Sequence, residues 1–142
     1  MSVDVKYRTT ATANGGGRSG ITALDNGLLT MTMAPAKELG GSGKGHNPEE
    51  LFAMGYAACF LSAIRAAARI GKLGEVPEAA TVSATVGFGA RSEGGFGLEV
   101  ALAVSLPGVE DGLAQTMIDA AHAVCPYSNA TRGNIDVTLT RV

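Results

Sequence analysis

The sequence predicts a single α+β domain over residues 1–142, in which antiparallel hairpins pack on two helices. Alternating segments rich in Val and Thr predict strands, and two segments with apolar residues at helical spacing predict helices. No long linker, repeat or low-complexity segment separates these elements, which favours one domain. Of the 142 residues, 46% are hydrophobic, so the chain can bury a sizeable core. The predicted order is β-β-β-α-β-β-α-β.

The first three strands are predicted before residue 34. Residues 3–12 alternate apolar and polar side chains, which favours a first strand. Residues 21–33 contain Asn26-Gly27 between two alternating runs. Asn-Gly is a strong hairpin signal, because a type I′ turn needs positive φ at both central positions. The Gly and Pro residues of 34–46 then predict a loop.

Capping residues predict the start of the first helix. Asn47 can cap it, Pro48 suits the first helical position, and Glu49 and Glu50 favour the positive end of the helix dipole. Glu50 lies three residues after Asn47, as the acid of a capping box does. We expect this helix to end near Ile70.

The second half of the chain follows the same logic. Residues 81–90 and 96–106 alternate and predict a second hairpin, and residues 110–125 have helical spacing. Pro126 is expected to end the second helix, because the residue before a proline is disfavoured in the helical region. A polar loop then leads to a final strand within residues 134–142.

Charge and hydropathy argue against a nucleic-acid partner and against a membrane-spanning segment. The chain has 11 Lys plus Arg and 13 Asp plus Glu, a net charge of −2, without a basic block, so a nucleic-acid partner has no support. The N-terminus has neither a signal nor a transit pattern. The apolar stretch 51–68 contains Arg65 and many small residues, which favours a buried helix over a membrane span. We therefore expect a cytoplasmic protein.

The two cysteines are the main candidates for chemistry, because in the cytoplasm thiols are more often reactive than structural. Cys59 lies in the middle of the first predicted helix and Cys125 at the end of the second. Each taken alone is better explained as a small buried hydrophobe. A redox role requires the helices to face each other within disulfide distance, and a cation that lowers a thiol pKa.

Arg18 is the candidate cation, because it follows three glycines that allow a loop to approach another element closely. Glu49 could hold an Arg by a bidentate pair. The simpler alternatives are a solvated loop Arg and a Glu that serves only the helix dipole. His122 precedes Cys125 by one turn, although a core or hydrogen-bonded His is the more usual case. A zinc site built from the cysteines is a weak alternative, since the chain has only 2 His.

Two motifs resemble a known family. Residues 47–60, NPEELFAMGYAACF, and residues 124–134, VCPYSNATRGN, closely resemble the organic hydroperoxide resistance (Ohr) proteins of the Ohr/OsmC superfamily. The Leu-Gly-Gly run 39–41 and the glycine loop before Arg18 match as well, so the resemblance covers nearly the whole chain. It implies the OsmC/Ohr-like fold, with antiparallel sheets packed on two central helices.

The resemblance also implies a function, an antioxidant thiol-dependent peroxidase that reduces alkyl and lipid hydroperoxides to alcohols. By that analogy Cys59 is the peroxidatic thiolate and Cys125 the resolving thiol that forms an intramolecular disulfide with it. Arg18 would hold Cys59 as thiolate, and Glu49 would orient Arg18. The implied reductant is a lipoylated protein or a small dithiol such as dihydrolipoamide, with no bound metal or organic cofactor.

A preference for organic substrates would need an apolar channel. Candidate lining residues are Phe52, Met54, Phe60 and either Met31 or Met33. The alternative is that most of these side chains belong to the core, as apolar residues at helical or strand spacing usually do.

Helix geometry adds an expectation about assembly. Glu49 and Cys59 are ten residues apart on one predicted helix, hence about 15 Å along its axis and about 80° around it. In a straight helix they cannot serve one small site. Either the helix is broken or Glu49 acts on a partner subunit, so we expect an intertwined homodimer with composite sites.

Three alternatives to a peroxidase remain. A hydroperoxide or redox sensor would use the same thiols without turnover. A structural domain would simply bury two cysteines. A general disulfide oxidoreductase is expected to have a Cys-x-x-Cys motif, which is absent from the sequence.

Overall fold

Strands and helices occur in the expected order, with one short helix added near the C-terminus. The computed structural model describes residues 2–142, and the α+β class is confirmed. The chain forms two units, the first ending at Leu51 and the second running from Phe52 to Val142. The single domain expected over residues 1–142 stays a prediction.

The first unit contains a three-stranded antiparallel sheet in the order β1-β2-β3. Its strands are β1, Ala11–Asn14, β2, Ile21–Leu24, and β3, Thr30–Thr32. The strand predicted over residues 3–12 was wrong in its bounds, because only Ala11–Asn14 pair with β2. A strand needs a partner for its backbone groups, and an alternating sequence does not supply one.

The hairpin between β2 and β3 turns at Asn26-Gly27, as predicted, but not as a type I′ turn. Gly27 has φ of 76°, whereas Asn26 is not among the residues with positive φ. The N–H of Leu24 donates to the carbonyl of Leu29 over 2.9 Å, so the loop has four residues. Loops of this length are most often built on a type I turn, which explains why one positive φ suffices.

Helix α1, Pro48–Ile70, begins with the predicted capping box. The N–H of Glu50 donates to Asn47 Oδ1 over 2.9 Å, and the N–H of Asn47 donates to Glu50 Oε2 over 3.3 Å. These reciprocal bonds satisfy two donors at the helix start that have no partner within the helix. The helix then runs without a break for 23 residues.

By length and composition alone, helix α1 could cross a membrane. Tyr56, Phe60 and Ile64 on this helix are nevertheless completely buried in the second unit. A core helix of a folded domain passes the same test, and the burial of these three side chains is typical of one.

The second unit contains a three-stranded sheet in the order β4-β5-β6. Strands β4, Thr81–Ala90, and β5, Phe96–Ser105, form the predicted antiparallel hairpin. Strand β6, Val137–Arg141, pairs with β5 in the parallel direction, so the expectation of purely antiparallel sheets was wrong for this pair. Parallel strands need a long crossover, and the helical segment between β5 and β6 supplies it.

Two helices form that crossover, where one helix and a polar loop were predicted. Helix α2, Asp111–Val124, ends at Cys125, whose φ of −62° and ψ of 125° are extended. Helix α3, Pro126–Thr131, follows directly. Pro126 did end α2, but a proline at the first helical position also favours a new helix. The polar sequence that suggested a loop therefore forms a short helix.

The core of the second unit lies between the sheet and helices α1 and α2. Strand β5 turns its apolar residues inward, and the helices contribute aromatic and aliphatic side chains from one face each. The largest fully buried apolar side chains are Tyr56, Phe60, Ile64, Leu102, Val104, Met117 and Ile118.

Leu102→Ala is expected to lower the free energy of unfolding by about 2–5 kcal/mol, because it leaves a cavity at the centre of this core. Leu28→Ala is a matched control, since Leu102 is 1% exposed and Leu28 is 83% exposed. We expect the control to stay within about 0.5 kcal/mol of the parent chain in equilibrium denaturation. Equal losses in the two variants would contradict the position of the core.

Candidate active site

The two cysteines meet in the second unit, one from helix α1 and one from the bend between α2 and α3. The Sγ atoms of Cys59 and Cys125 are 3.6 Å apart, and both thiols are free. Cys125 is completely buried and Cys59 is half-buried. A disulfide between them would require the sulfurs to approach by about 1.5 Å, since the bond is about 2.05 Å long.

The surroundings of Cys59 favour the neutral thiol. Burial raises the pKa of Cys59 above its ordinary value, and the Cys125 thiol adds to the increase. The backbone N–H of Tyr127 donates to Cys59 and opposes the shift. That N–H is free to do so because it lies in the first turn of α3, where donors have no partner within the helix. A nucleophilic Cys59 therefore needs a positive charge in addition.

Arg18 and Glu49 form a bidentate ion pair in the first unit. Arg18 Nη1 and Nη2 donate to the two carboxylate oxygens of Glu49 over 3.0 and 2.6 Å. The Glu49 side chain is only 14% exposed, against 43% for Arg18. The hydrogen bonds from Arg18 lower the pKa of Glu49 and raise that of Arg18, so both groups stay charged. The two parallel hydrogen bonds fix the orientation of the planar Arg18 guanidinium group.

The loop that holds Arg18 depends on a glycine that the sequence reasoning missed. Arg18 lies in a single 3-10 turn, Gly17–Ser19. At Gly20, the next residue, an added Cβ would lie 2.0 Å from the carbonyl oxygen of Asn14. The closest backbone approach of this loop therefore occurs at the glycine after Arg18 and not at the three glycines before it. A glycine at the join between the loop and β2 was the available signal.

A group of polar side chains that was not predicted from the sequence connects helix α1 with helix α3 and the end of α2, and all but the half-buried His122 are buried. Tyr56 Oη lies 2.9 Å from Ser128 Oγ and 3.2 Å from Thr131 Oγ1. His122 Nδ1 lies 3.0 Å from the same Ser128 oxygen. We call Tyr56, His122, Ser128 and Thr131 the hydroxyl network. The sequence does contain one indication of this network. Tyr56 precedes Cys59 by three residues and Ser128 follows Cys125 by three, so both lie one helical turn from a cysteine.

The residues suggested for a substrate channel have varied environments. Phe60 and Met33 are buried, Phe52 and Met31 are half-buried, and Met54 is 67% exposed. Phe52, Met54 and Phe60 belong to the second unit, whereas Met31 and Met33 belong to the first.

One aromatic group does form within the second unit. The ring of Phe52 packs against those of Tyr56 and Tyr127, with centroids 5.9 and 5.8 Å away. The backbone N–H of Tyr127 also bonds to Cys59. The three rings therefore lie beside Cys59, on the side that faces the start of α1.

A cavity of about 760 Å³ in the second unit does not include either cysteine. Arg65 lines it, together with residues 75–78 and 107–109. Its walls contain neither a nucleophile nor a paired titratable group, so the cysteine pair is the better candidate site. Across residues 2–142, no group of three or more His, Cys, Asp or Glu side chains is arranged to hold a metal ion.

Comparison with known proteins agrees with the motifs. The family model described as OsmC-like protein matches residues 41–140. The organic hydroperoxide resistance protein of Xanthomonas axonopodis pv. citri is 49% identical over 137 residues, which cover 96% of this chain and 94% of that protein. The chain belongs to the organic hydroperoxide resistance branch of the OsmC-like family.

Solved structures of Ohr proteins have the same fold. The organic hydroperoxide resistance protein OsmC of Legionella pneumophila superposes with a TM-score of 0.90 at 45% identity, covering 97% of this chain and 98% of that one. OhrB of Bacillus subtilis superposes with a TM-score of 0.86 at 36% identity, covering 97% and 100%. The OsmC/Ohr-like fold expected from the motifs is confirmed.

The imidazole of His122 gives this Ohr chain a predictable pH dependence of stability. Burial lowers the pKa of His122 below its ordinary value, and Arg132 lowers it further, while Asp119 opposes them. As the pH falls through about 6.5, the imidazole takes up a proton in the unfolded chain before it does so in the folded one, so acidification costs stability.

We expect the free energy of unfolding to fall between about pH 8 and about pH 5.5, and to fall less in His122→Asn, which cannot take up the proton. Denaturant titrations of both proteins at the two pH values measure the difference. The carboxyl groups with lowered pKa, such as Glu49, act at more acidic pH and are present in both proteins. Identical pH dependence in the two proteins would contradict the assignment to His122.

Proposed function

We propose that the protein is a thiol-dependent peroxidase that reduces organic hydroperoxides to alcohols and so protects against oxidative stress. The observation that carries the proposal is the contact of 3.6 Å between the sulfurs of Cys59 and Cys125. These are the only cysteines of the chain, so one thiol can be oxidised and the other can react with it. The names of the Ohr relatives support the substrate class. The proposed compartment is the cytoplasm, where thiols are kept reduced.

In the first step, the Cys59 thiolate attacks the distal oxygen of the hydroperoxide. An S–O bond forms and the O–O bond breaks, so that sulfur is oxidised by two electrons to a sulfenic acid. The leaving alkoxide takes a proton and departs as the alcohol. Cys59 is suited to this role because it is half-buried and so retains access to solvent, whereas Cys125 is completely buried.

In the second step, Cys125 attacks the sulfenic sulfur of Cys59. The S–S bond forms, the S–O bond breaks, and the thiol proton leaves with the hydroxide as water. A dithiol then reduces the disulfide by exchange and is itself oxidised to a disulfide. The proposed reductant is dihydrolipoamide or a lipoylated protein. Two electrons thus pass from the dithiol to each hydroperoxide.

Arg18 supplies the positive charge that the thiolate of Cys59 needs in this proposal. Burial favours the neutral thiol, and a guanidinium keeps its charge at any working pH, so it can stabilise the thiolate. Glu49 orients the guanidinium through the bidentate pair. The same charge would polarise the peroxide as its O–O bond breaks.

An apolar approach to Cys59 favours organic hydroperoxides over hydrogen peroxide. Tyr127 donates its N–H to Cys59, and its ring packs against Phe52. An alkyl chain gains free energy by burying its surface against such rings, and hydrogen peroxide has no such surface. We retain Phe52 and the exposed Met54 as candidate substrate contacts.

The proposed active form is an intertwined homodimer in which Arg18 and Glu49 of one protomer serve Cys59 of its partner. Helix α1 is unbroken, which removes the alternative of a break between Glu49 and Cys59. The first unit also has exposed apolar side chains along its sheet and before it, as a surface that packs against a partner would. Examples are Val3, Tyr7, Ile21 and Leu29.

Substitution of each cysteine is expected to give a different result with tert-butyl hydroperoxide and a dithiol. Cys59→Ser should abolish turnover, because the nucleophile is lost. With the dithiol left out, Cys125→Ser should still consume about one equivalent of hydroperoxide and accumulate a sulfenic acid that dimedone traps. If the parent chain oxidises Cys59 but does not turn over, the protein is a sensing thiol and not a peroxidase.

Composite sites can be tested by mixing two inactive variants. Arg18→Ala retains Cys59 but lacks the cation, and Cys59→Ser retains Arg18 but lacks the nucleophile. In a hybrid dimer, one site regains both residues only if Arg18 acts across the subunit interface. Co-expression should then restore about a quarter of the parent activity, since half of randomly paired dimers are hybrids with one complete site.

The control for this experiment is co-expression of Arg18→Ala with Glu49→Ala. Both remove the same ion pair, and each leaves Cys59 intact. If Arg18 serves the partner's Cys59 while held by Glu49 of its own protomer, neither site of that hybrid has an intact pair. One site lacks Arg18, and the other has an Arg18 without its Glu49. We expect little restoration there, and failure of the first mixture would contradict composite sites.

A further inference from the structure

Two contacts, one helical turn apart, join helix α1 to the segment that carries Cys125. Cys59 faces Cys125 with 3.6 Å between sulfurs, and Tyr56 faces Ser128 with 2.9 Å between oxygens. Tyr56 comes three positions before Cys59, whereas its partner Ser128 comes three positions after Cys125. The two segments therefore run in opposite directions where they meet. These two polar contacts act together with the packing of the Tyr127 ring on Phe52 and Tyr56 to hold α3 against α1.

The hydroxyl network has one consistent direction. Thr131 Oγ1 donates to the carbonyl of Ser128 over 3.2 Å, so its single hydrogen is used. At the contact of 3.2 Å between Tyr56 and Thr131, Tyr56 must therefore be the donor. Ser128 must then donate to Tyr56, which leaves His122 Nδ1–H to donate to Ser128.

This direction assigns a hydrogen to Nδ1 of His122. Every hydroxyl of the network then donates once, and the chain ends on a backbone carbonyl. Tyr56 and Ser128 are completely buried and Thr131 is 2% exposed, so water does not replace a missing partner easily. His122 is fixed in turn, because Arg132 Nη2 donates to its backbone carbonyl. The loss of one member would leave a buried polar group without its partner, which favours a shift of α3 against α1.

We propose that Tyr56, Ser128 and His122 are positioning residues that hold Cys125 against Cys59, and that they decide whether the sulfenic acid of Cys59 closes to a disulfide or is oxidised further. This inference rests on the proposed peroxidase function. The closing step forms the S–S bond and releases water, as described above. The competing step consumes a second hydroperoxide, which adds an oxygen to give a sulfinic acid and releases a second alcohol.

The two steps compete because only one of them depends on the position of α3. Closure needs the Cys125 sulfur about 1.5 Å nearer and in line with the S–O bond, and a misplacement of about 1 Å can slow such a reaction by about a hundredfold. Oxidation by a second hydroperoxide needs Cys59 and the hydroperoxide, but it does not involve Cys125. A looser α3 therefore shifts the product from disulfide to sulfinic acid.

Tyr56→Phe tests the inference with the least disturbance, because it removes the hydroxyl and keeps the ring. We expect closure after one equivalent of tert-butyl hydroperoxide to slow by about tenfold or more, with formation of the sulfenic acid at the parent rate. Intact mass after a rapid quench measures both, since the sulfenic acid adds one oxygen to the reduced mass and closure removes two hydrogens from it. The sulfinic acid is distinguished by two added oxygens. The sulfinic fraction should rise with added hydroperoxide.

Ser62→Ala is the matched control. Ser62 also lies on α1, but its hydroxyl is exposed and donates to the backbone carbonyl of Ala58 over 2.8 Å, outside the hydroxyl network. We expect it to close at the parent rate. Closure of Tyr56→Phe at that same rate would overturn the inference, as would slower closure in both variants.

His122 provides a second pair of variants if Tyr56→Phe does not fold. His122→Asn retains an N–H donor that can reach Ser128, whereas His122→Leu does not. Closure in the Leu variant should be slow, and the Asn variant should recover at least part of the rate. Equal rates in the two would overturn the role of His122. Failure of the parent chain itself to form the disulfide would instead overturn the proposed function.

Discussion

The structure depends most on the close approach of helix α1 to the bend that contains Cys125. Two thiols separated by 66 positions in sequence lie in contact, and both are held by helices whose other faces form the core. Such a contact cannot come from local sequence preferences, so it rests on the packing of α1 and α2 against strand β5. A substitution that disturbs that packing would therefore change the distance between the two thiols even though neither cysteine had been replaced.

Short sequence patterns correctly predicted those helices and strands whose boundaries depend on residues close together in the sequence. The capping box at Asn47 and Glu50 gave the start of α1, and the alternation of β4 and β5 gave their hairpin. The hydrogen bonds of the capping box join residues three positions apart, and the hairpin joins two strands that are consecutive in the sequence. The family motifs then identified Cys59 and Cys125, and the structure brings these two residues together.

Non-local partners decided the features that the sequence did not predict. Residues 3–10 alternate like a strand, but among residues 2–14 it is Ala11–Asn14 that pair with β2. The parallel pairing of β5 with β6 follows from the crossover, which no residue pattern in β6 could reveal. The hydroxyl network joins residues on three helices, and Ser128 lies in the segment that was predicted as a polar loop, so its contact with Tyr56 could not be predicted from the sequence.

The separation of the two cysteines in sequence also has a thermodynamic consequence. A bond between Cys59 and Cys125 would close a loop of 66 residues. In the chain-entropy description, a constraint of this length destabilises the unfolded ensemble by about 4 kcal/mol at 25 °C. Oxidation would thus make the chain harder to unfold, so the form left by a hydroperoxide would also be the one better able to survive until a dithiol arrives.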